Sequence, residues 1–283
     1  MLGIITLTKN AKVIVVTSGK GGVGKTTSTA AIGAEIARRG NRVIVVDFDI
    51  GLRNLDLVMG CERRVVYDFV NVINEEASLN QAIIKDKREP NLYVLPASQT
   101  RNKDALTKEG VLHVLEQLKK EFDYILCDSP AGIERGALMA LHFAEYAIIV
   151  TNPEVSSVRD SDRIIGVLNS DSKLALDGKE VQKYLLITRF SVARAKRGEM
   201  LSIEDIQEIL AIDLLGVIPE SQSVLNASNQ GVPVTLDAES DAKAAYMHAV
   251  DTLIDNKDPI ILKESNKWGF IKKFLSRGHH EYS

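Results

Sequence analysis

The run Gly19-Lys20-Gly21-Gly22-Val23-Gly24-Lys25-Thr26 satisfies the spacing G-x-x-x-x-G-K-[ST]. Each residue type at that spacing has a chemical use. The glycines let the backbone turn sharply and bring its N–H groups against phosphate oxygens. A helix starting near Lys25 would add its positive dipole end. Lys25 supplies a point charge for the β- and γ-phosphates, and the Thr26 hydroxyl can ligate Mg²⁺. The run therefore predicts a nucleotide-binding loop. Lys20 is not required by the pattern, so a second lysine inside the loop needs a separate explanation.

Two further segments carry acids where such a loop could use them. Val43-Ile44-Val45-Val46-Asp47-Phe48-Asp49 is an apolar run ending in two carboxylates. If extended, Asp47 and Asp49 point the same way, and such a pair can hold metal-bound water and orient an attacking water. Tyr124-Ile125-Leu126-Cys127-Asp128-Ser129-Pro130-Ala131-Gly132 is a second apolar run ending in an acid. Asp128 fits the group that anchors Mg²⁺ directly or through water. Ala131 and Gly132 leave room for a γ-phosphate, in a loop free to rearrange after hydrolysis.

The elements that must position these residues alternate in type. Strands are expected at 13–17, 43–47, 92–95, 124–128, 147–151, 184–188 and 215–219. Helices are expected at 26–39, 108–120, 136–143, 159–168, 202–210 and 241–255. Most of the strands are apolar throughout, as where helices cover both faces of a parallel sheet. Ser202 with Asp205 three residues on predicts a capped helix start. The reading is an α/β fold: a single P-loop NTPase domain with a doubly wound, mostly parallel sheet flanked by helices. Its expected bounds are 13–258, after a lead-in at 1–12 and before a tail at 259–283. The 283 residues suffice for one large core, and a composition of 45% hydrophobic and 26% charged residues is that of a globular chain. The net charge of -3 gives no reason to expect nucleic acid. The 2 cysteines, Cys61 and Cys127, imply no disulfide framework and suit a reducing compartment. The start lacks a signal-peptide pattern, and no apolar run is long enough to span a membrane.

The loop Gly19–Thr27, G-K-G-G-V-G-K-T-T, resembles the deviant Walker A motif of the MinD/ParA family of dimeric ATPases. The resemblance becomes specific to the MinD branch in several further runs. These are Val46-Asp47-Phe48-Asp49-Ile50-Gly51-Leu52-Arg53-Asn54-Leu55-Asp56, the segment from Cys61 to Asp68, and Asp128-Ser129-Pro130-Ala131-Gly132-Ile133-Glu134. The segments Asn152–Arg163 and Gly216–Glu220 match as well. The resemblance covers essentially the whole chain after Lys12. It implies an ATP hydrolase with Lys20, Lys25, Asp49 and Asp128 in catalysis, and Mg²⁺ held by Thr26, Asp47 and Asp128. Lys20 would reach the phosphates bound by a partner subunit. The nucleotide would lie on Gly19–Thr27 with Asp47, and Pro219 and Glu220 would meet the base through their backbone. Thr188-Arg189 stands where many members carry Asn-Arg at the adenine. The resemblance also implies an ATP-dependent homodimer that activates the division inhibitor MinC and is released by MinE. Ser156, Ser157, Arg159, Asp160 and Asp162 are the residues it offers to those partners. The alternative within the family is a ParA-type DNA-partitioning ATPase, which would need a basic surface that the net charge does not supply. An iron–sulfur carrier of the same fold would want a C-x-x-C pair, which the two cysteines do not form.

From Asn266 the chain reads N-K-W-G-F-I-K-K-F-L-S-R-G. At ~100° per residue, Trp268, Phe270, Ile271, Phe274 and Leu275 share one face of a helix. Lys272, Lys273 and Arg277 lie opposite. Together with Lys267 they put four cations and no acid into the segment 267–277. An aromatic apolar face bordered by cations lies flat on an anionic membrane. The pattern predicts an amphipathic helix on an anionic membrane, and the resemblance implies that it brings the protein peripherally to the cytoplasmic face of the inner membrane.

Overall fold

The computed structural model describes residues 11–101 and 105–260. The lead-in Met1–Asn10 and the expected amphipathic helix, with Trp268, Phe270, Ile271, Lys272, Lys273, Phe274, Leu275 and Arg277, lie outside the described residues.

The first half runs β1 (Lys12–Thr17), α1 (Lys25–Arg38), β2 (Val43–Asp47), α2 (Leu55–Val58), α3 (Phe69–Ile73), α4 (Leu79–Ala82), β3 (Ile84–Lys85), β4 (Leu92–Leu95) and α5 (Lys108–Leu118). There follow β5 (Tyr124–Asp128), α6 (Arg135–His142), β6 (Tyr146–Thr151), α7 (Val155–Asp171), α8 (Lys173–Leu176) and β7 (Gln182–Phe190). The chain then forms α9 (Val192–Lys196), α10 (Ile203–Leu210), β8 (Asp213–Pro219), α11 (Gln222–Asn229) and α12 (Asp241–Asp255).

All eight strands form one sheet in the order β3-β4-β2-β5-β1-β6-β7-β8. Only the short edge pair β3–β4 is antiparallel. Alternate residues of each strand feed two cores. Val13, Val15, Ile44, Val46, Ile125 and Ile149 pack on one face with residues of α5, α6, α7 and α10. Ile14, Val16, Val43, Val45, Leu126 and Ile148 pack on the other with α1 and α12. Covering both faces explains why these strands are continuously apolar rather than alternating.

Differences from the sequence expectation fall where local signals are weak. The stretch between Asp47 and Leu92 holds α2, α3, α4 and β3, each of five residues or fewer. Four or five residues are too few for a helical hydrophobic period to show. The helix expected at 159 starts instead at Val155, because its first turn carries polar residues. The Ser202–Asp205 start is a reciprocal cap: Asp205 N–H donates to Ser202 Oγ at 3.0 Å and Ser202 N–H to Asp205 Oδ2 at 3.2 Å.

Candidate nucleotide site

The strand register places the charged residues. Val16 of β1 stands opposite Asp128 of β5, and Asp128 in turn opposite Asp47 of β2. Two carboxylates therefore meet at the carboxyl edge of the sheet, where doubly wound folds bind ligands. Asp47 and Asp128 are both fully buried, and burial raises both carboxyls above the usual aspartate range. Mutual repulsion adds to this at Asp47.

Chain turns at the same edge build the loop. Ser18 Oγ donates to the Lys20 carbonyl at 2.7 Å and braces the turn after β1. Gly24 caps α1 at φ +99°, a conformation that favours glycine. No side chain caps these amides, and the first residues of α1, Lys25–Thr27, line the adjoining cavity. The cavity, about 640 Å³, is lined by Gly21, Gly22, Gly24, Lys25, Thr26 and Thr27, and beyond them by Asp49, Ser129–Ala131, Glu134 and Arg189.

Lys25 is mostly buried, and desolvation lowers its affinity for a proton while Asp128 and Asp49 raise it. Asp128 accepts from Thr29 Oγ1 at 3.0 Å and also from the Thr26 hydroxyl. The Thr26 hydroxyl with the Asp128 carboxylate is a hard oxygen set of the kind Mg²⁺ takes alongside phosphates. Burial raises the Asp128 carboxyl while Thr26 and Lys25 lower it, and the hydroxyl and carboxylate standing together are the donor set that fits the ion.

Asp47 and Asp49, expected from an extended strand to point the same way, separate in space. Asp49 lines the cavity. Asp47 stands behind it, with Oδ1 accepting from Asp49 N–H at 2.8 Å and Oδ2 from Leu55 N–H at 3.3 Å. Its carboxylate thus holds the backbone that presents Asp49. The loop after β5 is tied to the phosphate loop in the same way: Gly132 N–H donates to the Ser18 carbonyl at 2.9 Å.

Lys20 points away from this charge cluster. Its Nζ lies 2.7 Å from Glu154 Oε2 and 3.2 Å from Ser156 Oγ. Lys20 and its hydrogen bond, with that of Asn152, hold the Glu154 carboxyl below the usual glutamate range. Of the α7 residues expected at a partner surface, Ser156, Arg159 and Asp162 are exposed and Asp160 is half-buried. Ser157 is a correction: it is buried at 1% exposure, because the turn of α7 that carries it faces the sheet. Asp160 packs its backbone directly on Gly19.

A second cavity of about 480 Å³ adjoins the first and is lined by Val23, Thr188, Ile218, Pro219, Glu220 and Tyr246, among others. Pro219 and Glu220 are therefore placed together at a pocket beside the phosphate loop. Glu220 N–H already donates to the Phe190 carbonyl at 3.0 Å, which fixes this backbone beside the pocket. Thr188 is likewise engaged, donating to the Val23 carbonyl at 2.7 Å. That hydroxyl pins the phosphate loop to β7. Sequence reading missed this role, as it missed Glu154 and Thr29; all are ordinary residue types whose meaning lies in a distant partner.

The comparisons with known proteins agree with this geometry. A family model described as "AAA domain" matches residues 11–173. The septum site-determining protein MinD of Escherichia coli K12 is 64% identical over 267 residues, covering 94% of this chain and 99% of that protein. Among solved structures, the MinC:MinD cell division protein complex of Aquifex aeolicus aligns at 42% identity with a TM-score of 0.80, covering 90% of this chain and 99% of the other. MinD of Pyrococcus horikoshii, solved with Mg-ADP, aligns at 30% identity and a TM-score of 0.76, covering 87% and 97%. A phosphate loop braced against two buried carboxylates, in a chain this similar along its length, has one family assignment: the chain belongs to the MinD family of septum site-determining proteins, within the P-loop ATPases.

Proposed function

We propose that the chain is an ATP-driven switch that dimerises with ATP, binds the inner membrane through its C-terminal segment, and recruits MinC. MinE-stimulated hydrolysis returns it to the monomer. ATP is the substrate, with its phosphates on Gly21–Thr26 and its base toward Pro219 and Glu220. When bound, Mg²⁺ would be held by Thr26, Asp47 and Asp128, directly or through water, and would supply positive charge against the phosphates. Lys25 meets the β- and γ-phosphates, and Asp49 orients the attacking water at the cavity wall. The loop from Ser129 to Glu134, hydrogen-bonded to Ser18, reports the state of the γ-phosphate to α6.

The observation that carries the dimer reading is the direction of Lys20. It leaves its own cavity for Glu154, at 41% side-chain exposure. An exposed ion pair of this kind contributes only about 0–1 kcal/mol, so a phosphate of a second subunit can replace it. Lys20→Ala should keep ADP binding within a few fold and abolish the ATP-dependent dimer in light scattering. A dimer unchanged in ATP would remove the two-subunit site.

Support for the membrane step comes from the segment 266–277, whose aromatic face and cations suit anionic lipid. One short helix of this size anchors weakly, because ordering it offsets much of its apolar burial. Two on a dimer gain effective concentration, which links anchoring to ATP without a new contact. The MinC assignment rests on the Aquifex relative solved with MinC and on the exposed start of α7. In co-sedimentation with anionic vesicles, the intact chain should pellet with ATP and much less with ADP. A chain ending at Ser265 should stay in the supernatant with either nucleotide. Equal pelleting of both chains would refute the anchor, and ATP-dependent pelleting with DNA instead of vesicles would favour the partitioning alternative.

A further inference from the structure

The turn between β3 and β4 carries Arg88, which lines neither cavity, yet its guanidinium is tied down on three sides. Nη2 donates to the Met59 carbonyl at 2.6 Å and Nη1 to the Gly231 carbonyl at 2.6 Å. The third partner is Asp86, with Nη2 2.8 Å from Oδ2 and Nε 3.3 Å from Oδ1. Burial pushes the Asp86 carboxyl up, but its bonds from Arg88 hold it below the usual aspartate range. An ionised carboxylate at its back thus aims the planar fork at two carbonyls.

Those carbonyls end two helices. Met59 caps the C-terminus of α2, and Gly231 follows the last turn of α11, its N–H donating to the Ser228 carbonyl at 3.1 Å. A cation suits both ends. The two ends cross backbone against backbone: a Cβ on Gly231 would lie 2.7 Å from Gly60 Cα. No flexible side chain cushions the crossing, so the fork sets how α2 sits against α11. Each helix is a cavity wall. Leu57 and Val58 of α2 line the phosphate cavity, and Gln222, Leu225 and Ser228 of α11 line the adjoining one. At its other end α2 is held by Asp47, whose Oδ2 accepts from Leu55 N–H at 3.3 Å. Oδ1 of the same carboxylate accepts from Asp49 N–H at 2.8 Å. One rigid carboxylate therefore joins the start of α2 to the backbone that presents Asp49.

We infer that Arg88 is a positioning residue for hydrolysis: it fixes the far end of α2, and through α2 and Asp47 it fixes Asp49 at the cavity wall. The inference rests on the proposed role of Asp49 in orienting the attacking water. Misplacing a reacting group by about an ångström can cost about 10²-fold in rate. A helix end released at one of its two fastenings should cost less than that. The phosphate loop is braced separately, by Ser18 and Thr188, so nucleotide binding should hardly change.

Single-turnover ATP hydrolysis by the full chain, with protein in excess, tests this as a double-mutant cycle. Rates are taken per molecule that binds Mg-ADP in calorimetry, so unfolded chains do not count. Arg88→Met keeps an apolar stem and removes the fork, and it should lower the rate about tenfold. In an Asp49→Asn background the same substitution should cost less than about twofold, because the group it positions is gone. Arg88→Lys, which can hold one carbonyl but not two, should fall between. Affinity for Mg-ADP should stay within about threefold throughout, since Arg88 touches no part of the cavity. A rate for Arg88→Met within about twofold of the parent protein overturns the inference. So does an equal loss in both backgrounds, which would make Arg88 a clamp for the fold alone. Hydrolysis by Asp49→Asn at the parent rate would instead overturn the role of Asp49.

Discussion

Replacing Lys25 with alanine is expected to lower the single-turnover rate of ATP hydrolysis by about 10³-fold and to change how stability depends on pH. The rate effect follows from the position of the ammonium. It is buried at the cavity floor between Asp128 and Asp49, where water screens it poorly. Removing one fixed donor from developing charge typically costs 10²–10³-fold, and among the described residues Lys25 is the one lysine lining that cavity. The stability effect has a different origin. In the parent protein Lys25 lowers the proton affinity of Asp128, which burial has already raised. Without that ammonium the folded state holds its carboxyl protons to still higher pH, while the unfolded chain releases them near pH 4. The folded state then binds more protons than the unfolded one over this window. Stability accordingly falls as pH rises through it. Measured against the parent protein, the unfolding midpoint of Lys25→Ala should therefore be closest at about pH 5 and furthest below at about pH 7.5. A constant difference across that range would show that Lys25 does not neutralise these acids.

The features legible in sequence were those with a local signature. The phosphate loop has fixed spacing, and its flanking strand and helix have strong periods. The apolar strands with terminal acids at Asp47 and Asp128 show themselves because a doubly covered sheet leaves no alternation. The illegible features depend on partners that only the fold brings close. Lys20 and Glu154 are 134 residues apart, and Thr188 is 165 from the carbonyl it holds. Asp47 and Asp49 have identical side chains two positions apart, yet one organises the backbone and the other faces the cavity. The hydrogen bonds of Asp49 and Leu55 to Asp47 decide this, and no residue pattern encodes it. Ser157 shows the opposite failure: a polar run suggests surface, although helical geometry turns one of its members inward.

Gly19 and Gly21 look equivalent in sequence, yet alanine should destabilise the free protein at the first position and leave it unchanged at the second. A methyl group at Gly19 would fall inside contact distance of the Asp160 carbonyl carbon, its oxygen and its Cβ. The obstacle is helix backbone, which cannot rotate away as a side chain tip can. Nor can α7 move as a body, because Val158, Ile164, Ile165 and Leu168 root it in the core. The phosphate loop must yield instead, breaking the brace between Ser18 and Lys20. Gly19→Ala should therefore destabilise the nucleotide-free protein by about 1–3 kcal/mol, the usual range for overpacking. It should also weaken Mg-ADP binding at least 10²-fold as the loop loses its shape. At Gly21 no atom lies within 4 Å of an added methyl. Gly21→Ala should thus unfold with the parent midpoint, and any loss it shows must appear only in nucleotide binding. Thermal unfolding of both variants without nucleotide, followed by ADP titration, separates the two. Equal midpoints would mean that the loop and α7 are not in rigid contact. The contact matters beyond stability, since Asp160 belongs to the helix start proposed to receive MinC.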